Sequence, residues 1–398
     1  MEDELIMLLN QDKIYQLNTA QGTLPWVRTN DDRSYVINRN NEDADYWLIQ
    51  FTNKFSFKIY PIELLVPADV LKRIQNKEVF LVLDNAYEGF TDVIDSIYTD
   101  VIEQYSIPHE QVIVVSGNYD LLNYMQSYAR EKSKPEIKID FFNFWEWNII
   151  FEYGRLRQKF LPTLQKIEYN KKFLCLNRRW RTHRCLLLTL LKEKNLIEKG
   201  YVSFKDNLDG TTWDNAWHAM REQYSYHPET VEIIERNYQA INSMLPLDLD
   251  NVALTPASNY EMLLYPGMDT FYVDTYFSVV TDVNTNRHIE GRFLTEKIFK
   301  PIALRHPFIV WGADKTLEAL RLLGYKTFEG IIDESYDNES NEITRANMIV
   351  NEIERLSNLT GLELENFLTK AREICFYNYV IFRNRDMTKF EYVHRMNY

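Results

Sequence analysis

The sequence predicts an α/β protein of two domains, each built on a parallel β-sheet, facing each other across a cleft. Three observations carry this expectation. The chain has 398 residues, beyond the size at which a single core usually stops growing. Hydrophobic residues make up 45% and charged residues 26%, an ordinary globular composition rather than that of a disordered chain. Short continuous apolar runs also alternate twice with stretches of helical spacing, as successive βαβ units require.

The elements follow in chain order. The first 75 or so residues read as irregular, with short strands at Tyr46–Phe51 and Phe55–Ile59 between Asn/Asp-rich turns. Val79–Leu83 is a strand apolar on both faces and bounded by Asp84-Asn85. Thr91–Tyr105 places Val93, Ile94, Ile97, Val101 and Ile102 at helical spacing, with Thr91 as cap. Val112–Val115 is the next strand, Leu121–Arg130 a helix and Ile137–Phe142 a third strand. A second cycle opens after Pro162, with strand Phe173–Leu176, helix Thr182–Asn195 and strand Tyr201–Phe204. A helical, loop-rich stretch runs to about Leu245, and Phe271–Val283 reads as strand-rich. Helix Thr295–Leu304, strand Pro307–Val310 and helix Leu317–Leu323 come next. The tail from Ile343 reads as mostly helical, broken at Asn358–Gly361. There is no internal repeat and no low-complexity segment.

Charge and cysteine usage narrow the function classes. The formal net charge is −13, and a uniformly acidic surface repels phosphate backbones, so a general nucleic-acid coat is excluded. Cys175, Cys185 and Cys375 show no CxxC spacing and read as reduced core residues of a cytosolic protein. The start, Met1-Glu2-Asp3-Glu4, is acidic where a secretory signal is basic, and no apolar run approaches the roughly 20 residues that span a bilayer. The expectation is a cytoplasmic protein without a membrane partner. Aromatic residues reach 14%, which fits either a large acceptor cleft or only a tyrosine-rich core.

Two segments carry the chemistry. From 171 to 185 there are six Lys/Arg and no Asp or Glu. Within it, Asn177, Arg178, Arg179 and Arg181 lie between a predicted strand and the entry of the next helix. Loop amides, a helix N-terminus and arginine forks there make a diphosphate site; a solvated basic loop is the alternative. No GxxxxGK[ST] or GxGxxG occurs, so this is not the phosphate loop of nucleotide hydrolases or dehydrogenases. The second segment is Arg292-Phe-Leu-Thr295-Glu296-Lys297-Ile-Phe-Lys300-Pro301-Ile-Ala303, followed by His306-Pro307-Phe-Ile-Val310. Thr295 can cap a helix whose first turn carries Glu296 and Lys297. A carboxylate there can accept both hydroxyls of a ribose, and the lysine beside it offers charge to phosphate. A capped helix with a surface Glu/Lys pair is the alternative.

Phe293–Phe299, with the Pro/Ala-containing helix and short apolar strand after it, resembles the donor-site motif of fucosyltransferase-like and exostosin-like GT-B glycosyltransferases. Phe173–Phe204 together with Phe277–Tyr336 is also similar to glycosyltransferase-type proteins of large phages and viruses. The resemblance covers roughly 165–340 and does not extend to the first domain. It implies two Rossmann-like domains facing across a cleft, with C-terminal helices crossing back to the first. The expected division is an acceptor-side domain at 1–165, a nucleotide-sugar donor domain at 166–375, and a C-terminal helix at 376–398 packing on the first domain. Glu296 matches the glutamate that holds the donor ribose and Lys297 the lysine of that motif, while Asn177-Arg178-Arg179 is similar to the turn that binds donor phosphate. In one departure, His306-Pro307 stands where many relatives have a Gly-containing turn.

The resemblance makes the expected reaction metal-independent transfer of a hexosyl or pentosyl unit from a nucleoside diphosphate sugar to an acceptor hydroxyl. Arg178, Arg179, Arg181 and Lys297 would stabilise the diphosphate, with Arg292 a further phosphate contact. If the transfer is inverting it needs a base, for which Asp84 and Glu88, after the Val79–Leu83 strand, are the candidates; turn residues capping the next helix are the alternative. The histidines form no recognisable metal set, the aspartates lack calcium-loop spacing, and no strand-end DxD occurs. Neither a metal nor a resident cofactor is expected, the positive charges taking the place of Mg²⁺ or Mn²⁺. The phage likeness points to a hydroxymethylated DNA base as acceptor, and hence to the host cytoplasm, whereas the −13 net charge points away from DNA. The rival class is a two-domain scaffold that binds a nucleotide or sugar without turnover.

Overall fold

Runs of four to six apolar residues need cover on both faces, and parallel sheets with crossover helices supply it. In the computed structural model, the described residues are 26–28, 35–38, 46–51, 58, 61–86, 89, 93–156, 163–166, 168–177, 180–205, 207–208, 211–247, 249, 269–283 and 285–385. The chain divides into two units, the first carrying a mixed sheet with a parallel part and the second a parallel sheet. The first comprises residues up to 147 together with 288–293, and the second 148–287 and 294–385. The division therefore falls at Trp147/Asn148 rather than at residue 165.

In the first unit, strands β1 (Trp26–Arg28), β2 (Tyr35–Asn38), β3 (Tyr46–Phe51), β4 (Phe80–Asn85), β5 (Val112–Ser116) and β6 (Lys138–Phe141) lie side by side in chain order. The β1–β2 and β2–β3 pairs are antiparallel, and β3 to β6 are parallel. Every parallel connection advances the same way, so right-handed crossovers put the intervening helices on one face. Those are α1 (Ile62–Leu65), α2 (Ala68–Gln75), α3 (Val93–Ser96) and α4 (Leu121–Lys132). One core confirms the arrangement: Leu81, Leu83, Val112 and Val114 pack with Ile74, Ile97 and Met125. The alternate strand residues Val82, Ile113 and Val115 are buried as well. Instead of one regular helix over Thr91–Tyr105, α3 continues into π-helical turns at Ile97–Glu103. These wider turns keep Ile97, Tyr98, Val101 and Ile102 all buried. Thr91 and all of Phe55–Ile59 except Lys58 lie outside the described residues.

Helix α5 (Phe144–Leu156) leads into the second unit, whose sheet contains β7 (Phe173–Leu176) and β8 (Gly200–Ser203) with α6 (Thr182–Glu193) between them. A two-stranded ribbon, β9 (Asn207–Leu208) and β10 (Thr211–Thr212), precedes α7 (Trp213–Gln223) and α8 (Pro228–Met244). Then come α9 (Asp269–Val273), β11 (Phe277–Thr281), the single turn α10 (Arg287–Glu290), α11 (Glu296–Ala303), β12 (Phe308–Trp311) and α12 (Thr316–Leu322). The sheet order is β12-β11-β7-β8, all parallel. From β7 the chain first moves one way to β8, then returns to the other side for β11 and β12. The strand order thus reverses between β7 and β11, the position at which open α/β sheets leave a crevice at their carboxyl ends.

One strand reading is corrected. The first part of Phe271–Val283 is helical, with Tyr272 and Val273 inside α9. Aromatic and β-branched composition is a weak backbone preference, and here Thr275 Oγ1 bonds to the Phe271 carbonyl at 2.8 Å, back along the helix. The tail behaves as read: α13 (Glu342–Ser357) and α14 (Gly361–Arg383) are separated at residues 358–360. Of the stretch 376–398 expected to pack on the first domain, residues 376–385 belong to the second unit and 386–398 lie outside the described residues.

Candidate functional site

The strand-order reversal in the second unit is built from polar residues that end two apolar strands. Asn177 follows β7 and is 4% exposed. Its amide Nδ2 donates to Cys175 Sγ at 3.2 Å, and its Oδ1 accepts from Thr281 Oγ1, the last residue of β11, at 2.5 Å. That bond bridges the two strands where the order turns. Behind it, His183 Nε2 lies 3.0 Å from the Asp282 carbonyl, and Arg184 Nη2 donates to the Thr281 carbonyl at 3.2 Å. Burial, with Arg184 beside it, holds His183 well below the usual imidazole range, so the ring is neutral. Burial and then Arg181 pull Arg184 down to about 10, against the attraction of Asp282 and Glu296. The guanidinium stays charged at neutral pH.

The start of α11 completes the group. Thr295 is its N-cap: Oγ1 accepts the Lys297 N–H at 3.4 Å and donates to Asp282 Oδ1 at 2.6 Å. Asp282 also accepts the Val283 N–H at 2.8 Å and the Thr295 N–H at 3.4 Å. Burial raises the Asp282 pKa, with Lys297 opposing it. Glu296, 3% exposed, accepts from Lys297 Nζ at 2.7 Å. Burial alone would raise its pKa, yet Lys297 and Lys300 together hold it below the usual carboxylate range. Lys300, one turn on, is buried, and desolvation brings it down to about 8. The result is a carboxylate kept ionised at a helix N-terminus with lysine charge around it. Such a group can accept hydroxyls on one side while its neighbours meet an anion.

The other site residues expected from sequence fall into three groups. Arg181 is exposed at the N-cap of α6, its Nη1 3.4 Å from the Val283 carbonyl. Arg178, Arg179 and Glu88 lie outside the described residues. Asp84 is the penultimate residue of β4 in the first unit, where its carboxylate accepts the Ala86 N–H at 2.9 Å and closes the turn. Arg292 also belongs to the first unit. Its Nε and Nη2 grip Asp120 at 3.0 and 2.9 Å, its backbone N–H adds a third bond to that carboxylate at 2.9 Å, and both side chains are buried. The guanidinium expected to meet phosphate is thus committed to a carboxylate. Residues 288–293 form a strap: Asn118 Nδ2 donates to the Glu290 carbonyl at 2.7 Å, Asn118 bridges to Phe293, and the Phe293 ring covers Gly89, where a Cβ would stand 2.4 Å from it.

His306, the departure from the glycosyltransferase pattern, is 1% exposed just before the amino end of β12. It bonds to Ser278 Oγ at 2.9 Å and the Thr275 carbonyl at 3.0 Å, at the opposite end of the strands from Glu296. Sequence reasoning missed Asp282, Arg184, Thr281 and Lys300. Asp282 carried a usable signal, since it ends an apolar run just as Asp84 does. Among the described residues no three His, Cys, Asp or Glu side chains converge to hold a metal ion, and no helix is long and apolar enough to cross a membrane.

No protein-family model and no curated protein matches the chain. Among solved structures, it is similar to an α,α-trehalose-phosphate synthase (UDP-forming) from Burkholderia vietnamiensis, at 12% identity over 78% of this chain and 66% of that one, with a TM-score of 0.38. The α,α-trehalose 6-phosphate synthase of Burkholderia multivorans gives 12% identity over 86% and 67%, with a TM-score of 0.40. A glycosyltransferase from Rickettsia africae gives 10% identity over 80% and 75%, with a TM-score of 0.29. The chain spans about two thirds of the length of the two synthases.

Proposed function

We propose that the second unit binds a nucleoside diphosphate sugar and that the protein transfers its glycosyl group to an acceptor hydroxyl. The observation that carries this reading is Glu296: a buried carboxylate held ionised by Lys297 and Lys300 at the N-terminus of α11. In this proposal Glu296 accepts the ribose hydroxyls, while Lys297, Arg181, Arg178 and Arg179 meet the diphosphate, with Arg184 and Lys300 supporting from behind. The bond from the anomeric carbon to the diphosphate oxygen breaks as the bond to the acceptor oxygen forms. The nucleoside diphosphate leaves with the electron pair, and the acceptor proton goes to a base, for which Asp84 and Glu88 are the candidates. Lysine and arginine charge placed before the reaction lowers the cost of the charge that develops on the leaving group.

The test is release of nucleoside diphosphate from UDP-, GDP- and ADP-sugars, with glycan, protein and hydroxymethylated-DNA acceptors offered in turn. Acceptor-dependent release that is lost in Glu296→Ala supports the proposal. A second reading, a nucleotide-binding scaffold without turnover, is favoured by the engagement of Asp84 in its own turn. It predicts nucleotide binding with no release under any acceptor.

A further inference from the structure

The chain between Asp282 and Thr295 leaves the second unit and returns to it. At its neck the Asp282 carboxylate accepts from Thr295 Oγ1 at 2.6 Å and from the Thr295 N–H at 3.4 Å. Its tip, the strap of residues 288–293, belongs to the first unit. There Asn118 Nδ2 donates to the Glu290 carbonyl at 2.7 Å, and the Tyr119 N–H donates to the Arg292 carbonyl at 2.9 Å. The Asp120 carboxylate accepts the Arg292 N–H at 2.9 Å, Nε at 3.0 Å and Nη2 at 2.9 Å. A buried arginine–aspartate pair is most often plain structural support. What distinguishes this one is its place: only Phe293 and Leu294 separate the Arg292 anchor from the Thr295 anchor. Fully extended, that stretch spans about 11 Å at most. Its two side chains are 5% and 1% exposed, so drawing them out to lengthen the link would expose apolar surface. The chain that feeds the first turn of α11, and with it Glu296, is pinned on both sides with little slack.

We propose that Arg292, through its pair with Asp120, is a positioning residue for the donor site: seating the strap on the first unit sets the start of α11, and therefore Glu296, for nucleotide. This inference rests on the donor reading. Because coupling between two equilibria is reciprocal, nucleotide on Glu296 in turn favours the seated strap. Arg292 itself does not touch the ligand, since its guanidinium is held by Asp120.

Titration calorimetry of the full chain with UDP, GDP and ADP tests it, on wild type, Arg292→Met, Asp120→Asn and Glu296→Ala. A further chain carries two glycines inserted after Phe293, with and without Arg292→Met. The expected result is that Arg292→Met and Asp120→Asn each weaken the best-bound nucleotide about fivefold or more. In the lengthened chain, where slack already uncouples the anchors, Arg292→Met adds less than about twofold. Where Arg292→Met alone does not fold, the double variant Arg292→Met/Asp120→Asn, which leaves no buried charge, takes its place. Affinity within about twofold of wild type in Arg292→Met and Asp120→Asn, but lost in Glu296→Ala, overturns the positioning role and leaves the donor reading standing. Tighter binding in Asp120→Asn, or the full loss for Arg292→Met in the lengthened chain, also overturns it, because each marks Arg292 as a direct phosphate contact. Absence of binding of all three nucleotides by the wild type overturns both.

Discussion

Replacing Arg292 by Met probes the strap most sharply. The side chain keeps much of its volume but loses two charge-assisted hydrogen bonds, at 3.0 and 2.9 Å, to Asp120. Asp120 is 3% exposed and Arg292 6%, so water cannot readily replace the lost partner. Removing one side of a buried ion pair costs about 3–5 kcal/mol, chiefly because the surviving charge stays desolvated. Making Asp120→Asn in the same chain removes that charge, and the double variant should recover a large part of the loss. The coupling between the two changes should exceed about 1 kcal/mol. Urea unfolding with hydrogen exchange read on peptides from β4 and β5 measures this for the first unit. An Arg292→Met variant within about 0.5 kcal/mol of wild type, the scatter of ordinary surface changes, would refute the pairing and with it the placement of the strap.

Three further outcomes follow from the same geometry. Gly291→Ala should destabilise the first unit by more than about 1 kcal/mol, since Gly291 has φ +73° and a Cβ there would stand 2.3 Å from Asn118 Oδ1; the same exchange experiment reads it. Thr295→Ala should cost about 1–2 kcal/mol in urea unfolding, while Thr295→Ser, which keeps the hydroxyl to Asp282, should cost much less. Burial depresses His306 to about 4, so the unfolded chain binds the extra proton first as pH falls below about 6.5. Its contribution, about 3 kcal/mol, is present above that pH and is lost as pH falls towards 4. A pH series of wild type against His306→Gln should therefore converge on acidification, and parallel curves would contradict the neutral buried ring.

How much was legible beforehand depends on what each residue had to do. The strands at Val79–Leu83, Val112–Val115 and Phe173–Leu176 are short continuous apolar runs closed by polar residues such as Asp84, Ser116 and Asn177, the pattern of strands covered on both faces. Helix α11 was readable because Thr295, Glu296 and the apolar Ile298, Phe299 and Ile302 announce a cap and a docking face in one stretch. Phe271–Val273 misled because a short apolar run fits a buried strand and a buried helix equally well. Arg292 misled for a different reason: adjacency to Thr295 in sequence hid the fact that the chain is in the first unit at 292 and in the second at 294. Arg184 and Lys300 escaped notice because charged residues inside helices normally face water. Here the end of β11 supplies a partner for Arg184, and Glu296, one turn back on the same helix, offsets the charge of Lys300.

The most direct test of the central claim is a thermal-shift screen of wild type and Glu296→Ala against UDP, GDP, CMP and ADP and the corresponding sugar nucleotides. Ligand binding to the native state raises the melting temperature by mass action, roughly as RT ln(1 + [L]/Kd). The account predicts a selective rise with one nucleotide class that disappears in Glu296→Ala. No rise with any of them at several millimolar ligand, or a rise that Glu296→Ala leaves intact, would contradict it.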